Sequence, residues 1–344
     1  MVRMGEFELL ARIRERLPAG GPRTHLGSGD DAAVTVPGGA TATSVDALVD
    51  GVHFRRDRAS PSQIGRKALA SALSDLAAMG AEAGEAYVVL GLPRDFSEEE
   101  CLELLDGMAA LAAATGTDLA GGDLTRASEL FLAITVTGHA SSPDAFVTRA
   151  GASPGDALVL TGEIGAAAAG LQLLQNADWS INPPIGWSKD QSAWNRELLA
   201  RQLEPTPRLL AGQALAGAGA TAMIDLSDGL GADARHLAGA SGVKLEIEAE
   251  AVPLAPPAVA LSEATDRDPW SLLSGGEDYE LLASIPPARL GEATEAVLRK
   301  GWETRLGLQV DMLPGFEGCF RDAKKLMNDF DRLRAADIGK SPRR

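Results

Sequence analysis

The sequence has 344 residues, 45% of them apolar and only 4% aromatic, a length that supports more than one domain with helices closing on small side chains. Its formal net charge of −16 argues against a nucleic-acid binder, which would gather Lys and Arg on one face.

In chain order, residues 5–17 (GEFELLARIRERL) predict an amphipathic helix. The Gly-rich stretch GSGDDAA at 27–33 predicts a turn leading to a strand at 41–46. Ser60-Pro61 opens a helix that Gly80 ends, since Ser caps and Pro suits the first helical position. Within it Gly65, Ala68, Ala72 and Asp75 share one face, so a narrow stripe of small residues ends in an acid. Strands are predicted at 86–92 and 130–137, with a helix at 97–114 between them, and GGDLT at 121–125 reads as a Gly-rich turn. Around 141–156 the composition shifts to Pro, Gly and Ser, which marks a domain junction. Beyond it the α/β rhythm resumes, with strands at 157–161, 221–226, 243–249 and 279–285 and helices at 163–175, 207–217 and 230–240. Residues 177–196, which contain Asn182-Pro183-Pro184, read as a surface loop. The stretch from Arg321 carries eight Lys or Arg against four Asp, a basic tail on an acidic chain.

Several function classes fall away. Cys101 and Cys319 are too few for a disulfide framework or a cysteine zinc site, and the four His do not cluster as zinc ligands. No apolar run is long enough to span a membrane, and the first residues lack a signal-peptide pattern, so a cytoplasmic protein is expected. Gly339-Lys340-Ser341 ends like a P-loop, but Arg334 stands where its first Gly belongs. The GSGDDA string mimics a dinucleotide fingerprint, yet its two acids would face a pyrophosphate.

What remains is a set of acids at predicted strand ends and turns: Asp30, Asp31, Asp46, Asp75, Asp123, Asp225 and Asp228. Any one of them is equally at home as a turn or helix cap. As a set they suit Mg²⁺, which takes hard oxygen donors, usually one or two carboxylates with water and substrate phosphates.

The strings GEFELLARI, GSGDDAAV, SVDALVDGVHF, KALASALSDLAAMGA, GGDLTR, RAGASPGD, IDLSDGL and SGGEDYEL, in this order, resemble the thiamine-monophosphate kinase family over roughly residues 4–316. That family belongs to a superfamily with aminoimidazole ribonucleotide synthase and selenophosphate synthetase. The resemblance implies a two-domain α/β (α+β) fold of the aminoimidazole ribonucleotide synthase kind, with the N-terminal sheet pairing across a homodimer. The expected divisions are 1–140 for metal and ATP binding and dimerisation, 150–320 for a C-terminal α/β domain, and 321–344 for the basic tail. It implies Mg²⁺-dependent transfer of the γ-phosphoryl group of ATP to thiamine monophosphate, with several Mg²⁺ ions and no membrane or nucleic-acid partner.

Residue by residue, Asp31, Ser44, Asp46, Asp75, Asp123, Asp225 and Asp228 match metal-ligating positions. Val45 stands where the family commonly has Thr, so only its main-chain carbonyl is available. Gly122, Asp123, Arg149 and Ser227 match nucleotide contacts, and no side chain is expected to act as a catalytic base or nucleophile. His53 and Glu277 match acceptor-binding positions, although His53 equally suits a strand end, Arg149 a domain tie and Glu277 a turn. The chain departs from the family near its end, where Gly315-Phe316-Glu317-Gly318-Cys319-Phe320 replaces an aromatic string containing His, leaving Phe316 as the stacking candidate.

Overall fold

The computed structural model describes residues 6–17, 21–28, 32–175, 189–300 and 304–311. Helix α1 (Glu6–Arg16) is followed in the chain by a short ribbon of β1 (Thr24–Leu26) and β2 (Val34–Thr35). The N-terminal half then runs β3 (Ala40–Val49), α2 (Pro61–Ala78), β4 (Glu82–Leu92), α3 (Glu98–Thr115), β5 (Asp118–Arg126) and β6 (Phe131–Ala140). These strands form one sheet in the order β3-β6-β4-β5. β3, β6 and β4 pair antiparallel, and β5 joins β4 in parallel after the α3 crossover.

Both long helices start where the sequence signals them. Ser60 and Ser97 accept from the backbone N–H three residues on, and Gln63 and Glu100 return the bond, so each start is a full capping box. Gly116 closes α3 in the left-handed region at φ 72°.

α2 and α3 cover one sheet face and bury Leu90, Leu132, Ile134 and Val136 beneath them. The helices approach so closely that their backbones touch. A Cβ on Gly65 would lie 1.9 Å from the Leu104 carbonyl oxygen, and one on Gly107 would lie 2.0 Å from that of Ser62. The small-residue stripe read from the sequence is therefore a backbone contact, and Asp75 stands at its end.

The C-terminal half contains β7 (Ala157–Thr161), α4 (Ala166–Gln175), α5 (Lys189–Leu203), α6 (Leu209–Gly217), β8 (Ala222–Asp225), α7 (Leu230–Ser241) and β9 (Lys244–Ile247). It continues through α8 (Pro256–Ala264), β10 (Leu281–Ile285), α9 (Leu290–Arg299) and β11 (Thr304–Asp311). Its sheet is antiparallel throughout, in the order β8-β10-β7-β11-β9. The apolar core is shared, because Leu209, Leu215, Met223, Leu281 and Ile285 join the cluster under the first sheet. At this seam α6 meets the end of α2 as tightly as α3 does: a Cβ on Gly212 would lie 2.0 Å from the Ala77 carbonyl oxygen.

Three expectations change. GGDLT is no turn but part of β5, because a parallel neighbour satisfies its backbone despite the glycines. The loop read over 177–196 is helical from Lys189 onward, since DQSAWNRELLARQL carries good helix formers, and its earlier part lies outside the described residues. α8, α9 and β11 were not anticipated.

The backbone contact at Gly65 yields a stability test. Gly65→Ala is expected to lower stability by about 1–3 kcal/mol, read as a lower thermal midpoint. Gly231→Ala, where a Cβ meets nothing within 4 Å, is expected to leave the midpoint unchanged or raise it.

Candidate active site

α2 is apolar except along one edge. Ala68, Leu69, Ala70, Ala72, Leu73 and Ala77 are buried among hydrophobic neighbours, whereas Lys67, Ser71, Ser74 and Asp75 recur at helical spacing on a single face. Buried polar groups require partners. Here the partners come mostly from the C-terminal half. Lys67, only 2% exposed, places its Nζ 2.9 Å from Glu277 Oε1. Ser71 meets the side chain of Tyr279. Ser74 Oγ donates to Asp225 Oδ2 at 2.7 Å. Asp75 Oδ2 accepts from Ser44 Oγ on β3.

Asp225 ends β8 and is 3% exposed. Burial, followed by the negative charge of Asp75, pushes its carboxyl up to about 7, against the Ser74 hydrogen bond and the more distant Arg149 charge. The Asp75 charge thus acts on a buried carboxyl that gives up its proton reluctantly.

The loop after β8 is zipped to the segment before β10. Glu277 N donates to Ser227 O at 2.9 Å, Tyr279 N to Leu226 O at 2.9 Å, and Leu226 N to Glu280 O at 2.8 Å. Asp228 is exposed, and its N–H donates to Asp233 Oδ2 at 3.1 Å, with burial raising the Asp233 carboxyl to about 6. Successive residues of Glu277–Glu280 anchor in different directions. Glu277 and Tyr279 take left-handed backbone at φ 68° and 50°, sparsely populated for side chains of their size. Asp278 accepts from Gly165 N at 2.8 Å and Ala167 N at 3.2 Å at the start of α4, and burial lifts its carboxyl to about 7. Glu280, with no exposed surface, is paired to Arg208 and to Arg201 (3.2 Å) and accepts from Thr161 Oγ1 at 2.9 Å.

The remaining sequence candidates divide. Ser44 and Asp46 share the covered face of β3, and the Asp46 charge reaches Tyr279. Val45, 67% exposed, points to the open face. Arg149 is exposed on the junction, where its carbonyl accepts from Ser241 Oγ at 2.9 Å while its charge acts on Asp225, so domain tie and site residue are compatible roles. His53 lies in the exposed turn after β3, and its Nδ1 accepts from Val49 N at 3.1 Å, which leaves Nε2 as the outward donor.

Gly122 and Asp123 are not brought to the cluster within one chain. They sit on β5, the far edge from β3, about 14 Å from it by strand spacing. The register Asp123–Val89–Ala133–Ala47 also places Asp123 on the open face, opposite to Asp46. Asp31 and Phe316 lie outside the described residues.

Among the described residues no three His, Cys, Asp or Glu side chains converge as a closed metal cage. The pair Asp75–Asp225 with Ser44 and Ser74 still fits Mg²⁺, because its donors are hard oxygens and a cation would relieve the charge that raises Asp225. Sequence reading missed Lys67, Ser74, Gln202, Asp233 and Glu280. For two of them a signal existed: Lys67 and Ser74 flank the small-residue stripe at helical spacing from Asp75.

The Asp225 shift has a sign. Native Asp225 holds its proton to about pH 7 and the unfolded chain releases it near 3.8, so stability falls as pH rises through that window. In metal-free protein with a chelator, Asp225→Asn is expected to flatten that slope, leaving the share due to Asp233 and Asp278, and to raise stability at pH 8 by on the order of 2 kcal/mol. Urea unfolding at pH 5 and pH 8 measures it; equal effects at both values would contradict the assignment.

Residues 29–140 match the family described as AIR synthase related protein, N-terminal domain, and residues 153–304 match the corresponding C-terminal domain. The thiamine-monophosphate kinase of Mycobacterium tuberculosis is 39% identical over 285 residues, 81% of this chain and 80% of its own. That of Escherichia coli K12 is 39% identical over 290 residues, 83% and 84% of the two chains. The crystal structure of thiamine-monophosphate kinase from Stenotrophomonas maltophilia K279a matches with a TM-score of 0.78 at 33% identity, covering 91% of this chain and 96% of that one. AaThiL complexed with AMPPCP and TMP matches with a TM-score of 0.70 at 27% identity, covering 92% and 94%. With both domains matched and relatives at this identity over most of its length, the chain belongs to the thiamine-monophosphate kinase family.

Proposed function

We propose that this chain transfers the γ-phosphoryl group of ATP to thiamine monophosphate, giving thiamine diphosphate and ADP. The observation that carries the reading is the carboxylate pair Asp75–Asp225, braced by Ser44 and Ser74 across the domain seam, in a chain whose relatives are thiamine-monophosphate kinases. The AaThiL complex with AMPPCP and TMP supports both substrates.

The transfer needs little covalent help from the protein. An oxygen of the acceptor phosphate forms a bond to the γ-phosphorus as the bond to the β-γ bridging oxygen breaks, and ADP leaves with that electron pair. The acceptor oxygen carries no proton that must be removed, so positioning and charge neutralisation dominate. Asp46, Asp75 and Asp225, with Ser44, Asp31 and Asp228, are the residues assigned to hold several Mg²⁺ ions, and Val45 would offer only its main-chain carbonyl. Bound there, the metal would offset the negative charge of the triphosphate. Arg149 and Ser227 are assigned to the nucleotide, Arg149 through a fork suited to phosphate oxygens. His53 Nε2 and the Glu277 carboxylate are assigned to the acceptor, and Phe316 to its ring.

Gly122 and Asp123 enter this reading through a homodimer. The open face of the first sheet exposes Thr41, Thr43, Val45 and Ala47, an area suited to a second copy, and Asp123 faces the same way. The reading divides the chain at 1–140, 150–320 and a basic tail of 321–344. No helix of the described residues is long and apolar enough to cross a membrane, and a cytoplasmic location completes the proposal.

Purified protein with Mg-ATP and thiamine monophosphate is expected to form thiamine diphosphate, detected directly by chromatography, and to stop on chelation. Bound ATP without product would refute the acceptor. Asp46→Asn is expected to reduce turnover at least a hundredfold with unchanged circular dichroism, and wild-type rates would relocate the metal site. His53→Ala is expected to raise the KM for thiamine monophosphate about tenfold with the KM for ATP unchanged; no change would return His53 to a strand-end role.

A further inference from the structure

We propose that Lys67 and Gln202 are positioning residues that clamp the Glu277 carboxylate for the acceptor, an inference that rests on Glu277 being an acceptor contact. Each oxygen of that carboxylate has its own donor. Lys67 Nζ of α2 stands 2.9 Å from Oε1, and Gln202 Nε2 of α5 donates to Oε2 at 2.5 Å. Both donors are buried, Gln202 being 3% exposed, while the Glu277 side chain keeps 26% of its surface open. The carboxylate is therefore fixed from behind and accessible in front.

Three unfavourable features meet at this one group. Glu277 occupies left-handed backbone at φ 68°. Lys67 is taken out of water to reach it. Gln202 is oriented by its bond to Glu277 so that its Oε1 lies buried without a hydrogen-bond partner. A site arranged for stability alone would carry an apolar side chain at position 202, which leaves no orphaned oxygen, and Lys67 would still pair with Glu277. The amide is explained by what it does to the carboxylate: it removes rotation about the terminal torsion, which a single ammonium contact leaves free.

The clamp also sets a distance. Lys67 and Asp75 share an edge of α2 eight residues apart, a rise of about 12 Å. The clamp and the Asp75–Asp225 pair thus lean on different turns of one rigid helix.

The test uses the full chain, with Gln202→Met and Lys67→Met made alone and in a Glu277→Ala background. Gln202→Met is expected to raise the KM for thiamine monophosphate about tenfold, to leave the KM for ATP within about twofold, and to hold or raise the thermal midpoint because the orphaned oxygen is gone. In the Glu277→Ala background it is expected to add nothing, since the group it positions is absent. An unchanged KM for thiamine monophosphate in Gln202→Met, or the same multiplicative effect in both backgrounds, would overturn the proposal. Lys67→Met should show the same acceptor-specific effect, and if it fails to fold the Gln202 series decides alone. Should Glu277→Ala leave the KM for thiamine monophosphate unchanged while wild type forms product, the clamp falls and the kinase reading stands. Absence of product from wild type overturns both.

Discussion

The docking of the two halves of this molecule depends on the polar edge of α2. A helix otherwise sunk in apolar surroundings cannot leave Lys67, Ser71, Ser74 and Asp75 unpartnered, because an isolated buried polar group is costly. Glu277, Tyr279 and Asp225, all from the other half of the chain, partner the first three, and Ser44 of β3 partners Asp75. The hydrophobic seam presses the halves together without much directional preference, whereas these polar pairs accept essentially one alignment. Domain docking and site assembly are consequently the same event.

That assembly leaves unfavourable terms in place. Asp225, Asp233 and Asp278 are all desolvated enough to hold protons far longer than ordinary carboxylates. Glu277 and Tyr279 sit in backbone regions that disfavour them. Strong local interactions offset these costs, among them the two arginines on Glu280 and the backbone donors on Asp278. The pattern is that of a protein in which stability has been spent around the proposed site.

Much of this was legible in the sequence, and for identifiable reasons. Ser60-Pro61 and Ser97 state their helix starts in local chemistry, and the stripe from Gly65 to Asp75 gives away a closely packed helix with an acid at its end. The ordered motifs carried the family, which composition and periodicity alone could not have supplied. What escaped was long-range. Nothing local to Gln202 announces Glu277, 75 residues away, and nothing in GGDLT distinguishes a glycine-rich turn from an edge strand held by a parallel neighbour. The acids also looked like one set, yet register separates Asp123 from Asp46 by the full width of a sheet and puts it on the other face.

The backbone contacts on α2 bear on how the enzyme can turn over. With α3 seated on Gly65 and α6 seated against Ala77 through Gly212, the helix meets main chain directly at one point on each side. Side-chain layers normally supply the slack for one domain to swing against another, and at these two points there is none to compress. A jaw-like opening about this seam would have to part main chain from main chain. Opening at the two glycine contacts is therefore more costly than movement of a segment that meets the helix only through side chains.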